Sequence, residues 1–321
     1  MTELPVIDVA PLRARSNIRG VTREMRRACE SIGFFYVVGH GIPAPVLNRL
    51  AALSREFFAR DLDEKMQIRM QLGGRAWRGY FPPGAELTSG RADLKEGIYF
   101  GAELGDDHPL VRSGTPLYGR NLFPAIDGFR DAVLEYMSAL TALGHDLMRG
   151  LAASLELDEA HFERIYTDPL ILFRIFNYPP SSNGEDWGVG EHTDYGLLTI
   201  LAQDDAGGLE VKSGSRWIDA PPIAESFVCN LGDMLDRMTG GLYRSTPHRV
   251  RNRSGRPRLS FPFFFDPSFH AEVKRIDTRP IDDDRSARWD QESVHDFSGT
   301  YGDYLLGKIS KVFPALRQQV L

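Results

Sequence analysis

A histidine and an aspartate two residues apart, His192 and Asp194, lie in the stretch Glu191-His192-Thr193-Asp194-Tyr195-Gly196, and a second histidine, His248, lies far downstream in Pro247-His248-Arg249-Val250. On an extended chain, positions i and i+2 project to the same face, so an imidazole and a carboxylate stand side by side. His248, carried on a distant strand, can close a triangle with them. Two imidazoles and one carboxylate on one face of a cation leave its other positions open. That set suits non-haem Fe(II), which must admit a chelating co-substrate and dioxygen. A His-x-Asp pair alone is a weak signal that reads first as a surface loop with an Asx-type turn, so the metal reading needs a second feature. It comes from Arg258-Leu259-Ser260, where a guanidinium and a hydroxyl alternate onto one strand face. A planar fork with a hydroxyl beside it matches both oxygens of a buried carboxylate.

The elements that must position these residues are punctuated clearly. From Leu170 onward, short apolar runs alternate with turns rich in Gly, Pro, Asp and Asn, such as Asp205-Ala206-Gly207-Gly208 and Lys212-Ser213-Gly214-Ser215. Strands are expected at Leu170–Tyr178, Val189–Asp194, Leu197–Gln203, Leu209–Lys212, Arg216–Ile218, Ser226–Asn230, His248–Val250 and Arg258–Phe265. Such spacing predicts a sandwich or jelly roll. Upstream, apolar residues at three- and four-residue steps predict helices over Ile18–Ile32, after Pro43, and over Phe123–Ser154. Strands are expected near residues 5–9 and at Phe34–Val38. Residues 71–121 read as irregular chain with extended pieces at Arg78–Pro83 and Asp93–Phe100, and such stretches often form binding surfaces. The acid-rich Ile281–Val294 reads as a surface loop, and a terminal helix follows over Tyr301–Val312. His40, in a Gly-flanked turn, reads as a structural hydrogen-bonding group.

The 321 residues carry a net charge of −6, with 42% hydrophobic and 26% charged residues, which is the composition of a globular chain with a sizeable core. Nothing marks a nucleic-acid binder, which would show a basic face. No apolar run reaches the length of a membrane span, and the acidic N-terminus does not read as a signal peptide. The two cysteines, Cys29 and Cys229, sit in apolar segments and are expected to be buried free thiols. A cytoplasmic protein is expected.

Over nearly its whole length the chain resembles the isopenicillin N synthase-like family of Fe(II)- and 2-oxoglutarate-dependent oxygenases. The N-terminal match is Leu4-Pro5-Val6-Ile7-Asp8 and Cys29 through Pro43. The denser C-terminal match includes His192-Thr193-Asp194-Tyr195-Gly196, Asp204 through Leu209, Asn230-Leu231-Gly232-Asp233, Ser245 through Val250, and Arg258-Leu259-Ser260. The resemblance implies a mainly β fold with flanking helices: a double-stranded β-helix (jelly-roll) core, a helical N-terminal region and a C-terminal helix. Its segments would be residues 1–120, 121–168, 169–270 (the catalytic core) and 271–321, packed as one unit. It implies His192, Asp194 and His248 as iron ligands, and Arg258, Ser260 and Tyr178 as the groups that hold 2-oxoglutarate. Where plant members often have asparagine two residues before that tyrosine, this chain has Phe176.

The implied reaction oxidises a C–H bond of a small molecule, most simply by hydroxylation, while O2 and 2-oxoglutarate give succinate and CO2. An oxidase of the same fold that needs no 2-oxoglutarate is the nearest alternative. A zinc hydrolase would also use His and Asp ligands but has no use for Arg258 and Ser260, and intact ligands argue against a non-catalytic binder. Arg174, Phe176 and Phe264 from the core strands, and Arg75, Lys95 and Tyr99 from the irregular stretch, are the candidate substrate contacts. Several basic groups converging there would indicate an anionic substrate. Oligomeric state is not legible.

Overall fold

The computed structural model describes residues 3–88, 90–180, 187–276 and 293–313. Strands form where β-branched and aromatic residues crowd between glycine- and proline-bearing turns. In chain order they are β1 (Val6–Asp8), β2 (Phe34–Val38), β3 (Gly79–Phe81), β4 (Leu87–Thr88), β5 (Arg91–Ala92), β6 (Glu96–Gly101) and β7 (Pro169–Tyr178). There follow β8 (Val189–His192), β9 (Leu198–Gln203), β10 (Leu209–Ser213), β11 (Arg216–Asp219), β12 (Phe227–Leu231), β13 (His248–Val250) and β14 (Arg258–Ser268). Eight of them make a major sheet in the order β1-β2-β12-β9-β14-β7-β6-β3, and four make a minor sheet, β11-β10-β13-β8. The two sheets are the walls of a jelly roll, and β4 and β5 form a separate hairpin.

Strand β14 is central, flanked by β9 and β7. Pro262 lies within it and has no N–H to give. Its pairing with β7 is accordingly interrupted at Phe261 and Pro262, whereas pairing with β9 continues through Pro262↔Leu201. The register therefore survives, and Arg258, Ser260, Pro262, Phe264 and Asp266 all face the same cavity.

The helix Phe129–Ser154 backs the major sheet through the buried residues Phe129, Val133, Tyr136, Leu140, Leu143, Leu147 and Leu151. A side chain at Gly144 would bring Cβ within 2.7 Å of the Phe265 ring, so glycine is what lets this helix lie so close to β14. The helix begins six residues later than the periodicity from Phe123 suggests, because Pro124 and then Gly128, at φ 75°, hold the chain out of helical geometry. The terminal helix runs from Tyr301 to Val312 as expected, with a capping box between Thr300 and Asp303.

Other expectations are corrected. Strand β8 ends at His192, so Asp194 is placed by the segment beyond the strand rather than by strand alternation. The extended pieces expected within the irregular stretch do form strands, β3 and β6, and both belong to the major sheet. The helix Asp233–Met238 had no expectation. The Ile281–Val294 stretch lies outside the described residues except for Ser293 and Val294, and Val294 is buried in a short 3-10 turn. Cys29 and Cys229 are buried and unbonded. His40 is structural: its Nδ1 accepts from the Ile42 amide at 3.1 Å and its Nε2 meets the Glu225 carbonyl at 3.1 Å.

Candidate active site

Strand β8 ends on His192 and β13 begins on His248, and the two stand directly opposite in register. Their ring centroids are 4.2 Å apart. Asp194 Oδ1 lies 3.9 Å from His192 Nε2 and 3.7 Å from His248 Nε2. One potential ligand atom from each residue falls within 4.8 Å of the others. Carbonyl oxygens fix which ring nitrogen carries the proton. Nδ1 of His192 donates to Gly190 O at 2.8 Å and Nδ1 of His248 to Thr246 O at 3.2 Å. A carbonyl can only accept, so in the neutral ring the lone pair is left on Nε2, the tautomer a metal requires.

Asp194 is oriented as firmly. Its Oδ2 accepts from Thr199 Oγ1 and from Asn230 Nδ2, both at 2.6 Å. That leaves Oδ1 to face the histidines. Burial pushes this carboxyl up, but His248, His192 and the two hydrogen bonds outweigh it and hold Asp194 below its ordinary range. Burial, reinforced by His192, lowers His248 to about 4, so its imidazole is neutral at pH 7. Glycine at 196 lets the chain after Asp194 lie against Asp266: a Cβ there would fall 1.5 Å from Asp266 Oδ1.

Across the cavity, on the major sheet, Arg258 is fully buried on β14. Its Nε donates to Gly207 O and its Nη2 reaches Gln203 Oε1 at 3.4 Å. Nη1 is buried with no protein partner. Tyr178, opposite Arg258 in the β7–β14 register, places its ring 4.7 Å from the guanidinium, and its hydroxyl is 3.2 Å from Ser260 Oγ. A buried guanidinium with one arm orphaned, beside two hydroxyls, is built to receive an anion; leaving that donor unsatisfied is costly. The donor sets thus fit both Fe(II), by two imidazoles and a carboxylate with an open side, and a dicarboxylate reaching from the metal to Arg258.

Two family models match the chain: the N-terminal model of non-haem dioxygenase in morphine synthesis over residues 4–126, and the 2OG-Fe(II) oxygenase superfamily over residues 167–267. A Dictyostelium discoideum protein named "Probable iron/ascorbate oxidoreductase" is 52% identical over 99% of this chain and 97% of its own. The chain belongs to the 2OG-Fe(II) oxygenase superfamily. A 1-aminocyclopropane-1-carboxylate oxidase of Dictyostelium mucoroides is 39% identical to this oxygenase over 97% of the chain and 95% of its own. Among solved structures, a full-length Neurospora crassa protein in complex with alpha-KG (2-oxoglutarate) and thymine superposes with a TM-score of 0.78, at 25% identity over 96% of each chain. The oxygenase is therefore an oxidoreductase whose cofactor is Fe(II) and whose co-substrates are 2-oxoglutarate and O2. Among the described residues, no helix is long and apolar enough to cross a membrane.

The triad and Arg258 share one cavity of about 170 Å³ with residues of the β4–β5 hairpin and the terminal helix. Arg174, Phe176, Phe264, Lys95 and Tyr99 all line it. Arg75 does not: it is exposed and donates to Gly114 O at 2.9 Å, because the left-handed turn at Trp77 separates its short helix from the chain that enters the cavity. Lys95 is buried but already ion-paired with Asp93 and, at 3.0 Å, with Glu86. Asn177, on the opposite face of β7, donates to Glu96 Oε1 at 2.8 Å.

Three groups of the site escaped the sequence reading. Glu86 borders the cavity and accepts from the Tyr99 hydroxyl at 2.6 Å. Asp266 lies on the cavity face of β14 and takes hydrogen bonds from the Tyr301 hydroxyl and from the Leu197 amide. Burial pushes Asp266 up to about 7, against those two donors. The alternation that placed Arg258 and Ser260 would have found Asp266 had the strand been carried past Phe265. Trp77 also lines the cavity, in left-handed geometry at φ 54°, with its indole N–H buried and unpartnered. Trp77 carried no local signal of this kind.

Proposed function

We propose that the protein is a dioxygenase in which His192 Nε2, Asp194 Oδ1 and His248 Nε2 hold Fe(II), while Arg258, Ser260 and Tyr178 bind the distal carboxylate of 2-oxoglutarate. The reaction is R–H + 2-oxoglutarate + O2 → R–OH + succinate + CO2, a hydroxylation of a small molecule. The observation that carries this reading is the orphaned Arg258 Nη1, fully buried across the cavity from the triad. Fe(II), when bound, supplies the dioxygen activation that couples decarboxylation of the co-substrate to oxidation of the C–H bond.

The protein's own groups position the reactants. Gly190 and Thr246 carbonyls keep both imidazoles in the ligating tautomer, and Thr199 with Asn230 keeps one carboxylate oxygen turned inward. Arg258 fixes the far end of the co-substrate, so its keto-acid end is directed toward the triad. Phe176, Phe264 and Leu201 present apolar surface to the cavity and limit water beside the reacting C–H bond. We read the four segments as one working unit, since β1, β2, β3 and β6 extend the sheet that carries Arg258. A cytoplasmic location is in keeping with two buried unpaired cysteines.

The test is an anaerobic titration. Fe(II) and then 2-oxoglutarate are added to metal-free protein, and the visible charge-transfer band of an iron–keto-acid chelate is followed. The band is expected, and Arg258→Ala should demand far more 2-oxoglutarate to produce it. Iron binding without a band would overturn the co-substrate assignment and favour oxidase chemistry in which the substrate supplies all the electrons.

A further inference from the structure

We infer that the substrate is a zwitterion of amino-acid type, its carboxylate taken by Arg174 and its ammonium group held against Glu86. The inference rests on the Fe(II)/2-oxoglutarate reading of the same cavity and adds a substrate class to it.

Two buried cations of this cavity are treated differently. Lys95, 1% exposed, is gripped by two carboxyl groups, Asp93 and Glu86. It has no charge left to offer a ligand. Arg174, also buried, has no carboxylate within ion-pairing distance among the described residues. Its Nη1 reaches only two backbone carbonyls, Phe100 O at 3.4 Å and Phe173 O at 3.3 Å, and its guanidinium lies 3.4 Å from the centroid of the Tyr99 ring. Aromatic stacking and long carbonyl contacts orient a guanidinium without neutralising it. Glu86, beyond the Tyr99 ring, and Asp266 act on this charge only through space, so the guanidinium fork has no direct carboxylate partner and is open to an anion from outside. A planar fork selects a carboxylate over a single-point acceptor.

The negative partner lies at the other end of the same phenol ring. Tyr99 shows its face to Arg174 and gives its hydroxyl to Glu86 Oε1. Glu86 Oε2 makes an ion-pair contact with Lys95 but receives no directed hydrogen bond, although it is buried. With two carboxyl groups against one ammonium, this cluster has acceptor capacity open to an N–H donor and would repel a second anion. A simple dicarboxylate satisfies Arg174 and is opposed by Glu86. A simple amine does the reverse. A molecule bearing both charged groups on one carbon suits the pair.

The test uses wild-type protein loaded anaerobically with Fe(II) and 2-oxoglutarate. The proteinogenic L-α-amino acids are titrated alongside their N-acetyl and methyl-ester derivatives, and perturbation of the charge-transfer band by an entering molecule is the readout, with no turnover needed. At least one free amino acid should perturb the band saturably. Its N-acetyl and ester forms should bind about tenfold more weakly or worse, as expected when a buried charge loses its partner. Arg174→Gln should show a comparable loss toward that amino acid while still forming the band, Arg174→Lys should recover part of it, and Glu86→Gln should weaken the free amino acid more than its N-acetyl form. The inference is overturned if no free amino acid perturbs the band, if the blocked derivatives bind as well, or if Arg174→Gln binds normally. Should Arg174→Gln not form the band, the comparison of free and blocked amino acids on the wild type decides alone. Absence of the band in wild type with 2-oxoglutarate strikes the site reading instead, so the two failures are distinguishable.

Discussion

The iron end and the substrate end of the cavity are built on opposite plans. At the iron end nearly every polar valence is committed within the protein: both Nδ1 atoms donate to backbone carbonyls, and one oxygen of Asp194 is held by Thr199 and Asn230. What remains open is three atoms aimed at one point. Across the cavity, long side chains come from β6, β7, β14 and the chain at Trp77 and Glu86, and several carry open valences: Arg258 Nη1, Trp77 Nε1 and Glu86 Oε2. A metal needs a fixed geometry that can be assembled on short strand ends. A reacting organic molecule needs unsatisfied partners, and the protein tolerates their desolvation until the ligand arrives.

If that contrast is right, the iron end should fail completely and the co-substrate end by degrees. Asp194→Ala removes the one carboxylate ligand and leaves two imidazoles. Metal binding measured by anaerobic Fe(II) titration, and turnover with it, should be abolished; retained stoichiometric iron would break the comparison at its root. Arg258→Ala comes next. Losing a charge-assisted pair with a carboxylate is worth about 2–3 kcal/mol, or roughly a 30- to 150-fold rise in the 2-oxoglutarate needed, with iron binding intact. Asn230→Ala tests whether the supporting hydrogen bonds at the iron end matter as the geometry implies. Freeing Asp194 Oδ2 from one donor should weaken metal affinity by about 10- to 100-fold, while 2-oxoglutarate affinity in the iron-saturated protein changes little.

The same contrast explains what could be read from the chain. The iron end was legible because each ligand sits in a short run with strict spacing, even though the strand that bears His192 stops before Asp194. The direct His192–His248 pairing is a matter of register, which no local pattern specifies. The jelly-roll strands were legible from their turns, and the helix Phe129–Ser154 was over-extended because its apolar stripe does not reveal the break made by Gly128. At the proposed substrate end, five of the six candidates line the cavity, but their pairing could not be read from the chain. Lys95 enters the cavity already paired, and Arg75 turns out to the surface. Those outcomes depend on where distant carbonyls and carboxylates fall, which is set by the path of the chain between residues 71 and 121.

Asp266 belongs to neither end and sharpens the boundary between them. Burial raises it to about 7, with Asp194 adding to the rise and Arg174 opposing it, and it ties the terminal helix to β14 through Tyr301. A carboxyl whose folded pKa lies above its unfolded value of about 3.9 binds its proton more tightly in the native state. Its contribution to stability is therefore full below about pH 4 and shrinks as pH rises through 7, by at most about 1.4 kcal/mol per unit. Asp266→Asn cannot ionise. Denaturant midpoints from pH 4 to 8 should show wild type losing ground to the variant as pH rises, and parallel profiles would mean that Asp266 is ionised throughout.

The smallest expected effect lies within the co-substrate anchor itself, where Arg258 and Ser260 would touch the same carboxylate. Ser260→Ala removes a neutral hydroxyl whose contribution is about 1 kcal/mol, hence roughly a fivefold weaker 2-oxoglutarate affinity against the far larger loss at Arg258. Tyr178 bears on how the difference arises. Its hydroxyl now sits 3.2 Å from Ser260 Oγ, and without that partner it can turn to the carboxylate and recover part of the loss. Tyr178→Phe in the Ser260→Ala background should then cost more than Tyr178→Phe alone, a coupling that titration of the charge-transfer band can resolve. Additive losses would show that the two hydroxyls act separately. A Ser260→Ala loss as large as that of Arg258→Ala would mean that the anchor works through the hydroxyl rather than the charge, and the distinction drawn between committed and open valences at this site would not hold.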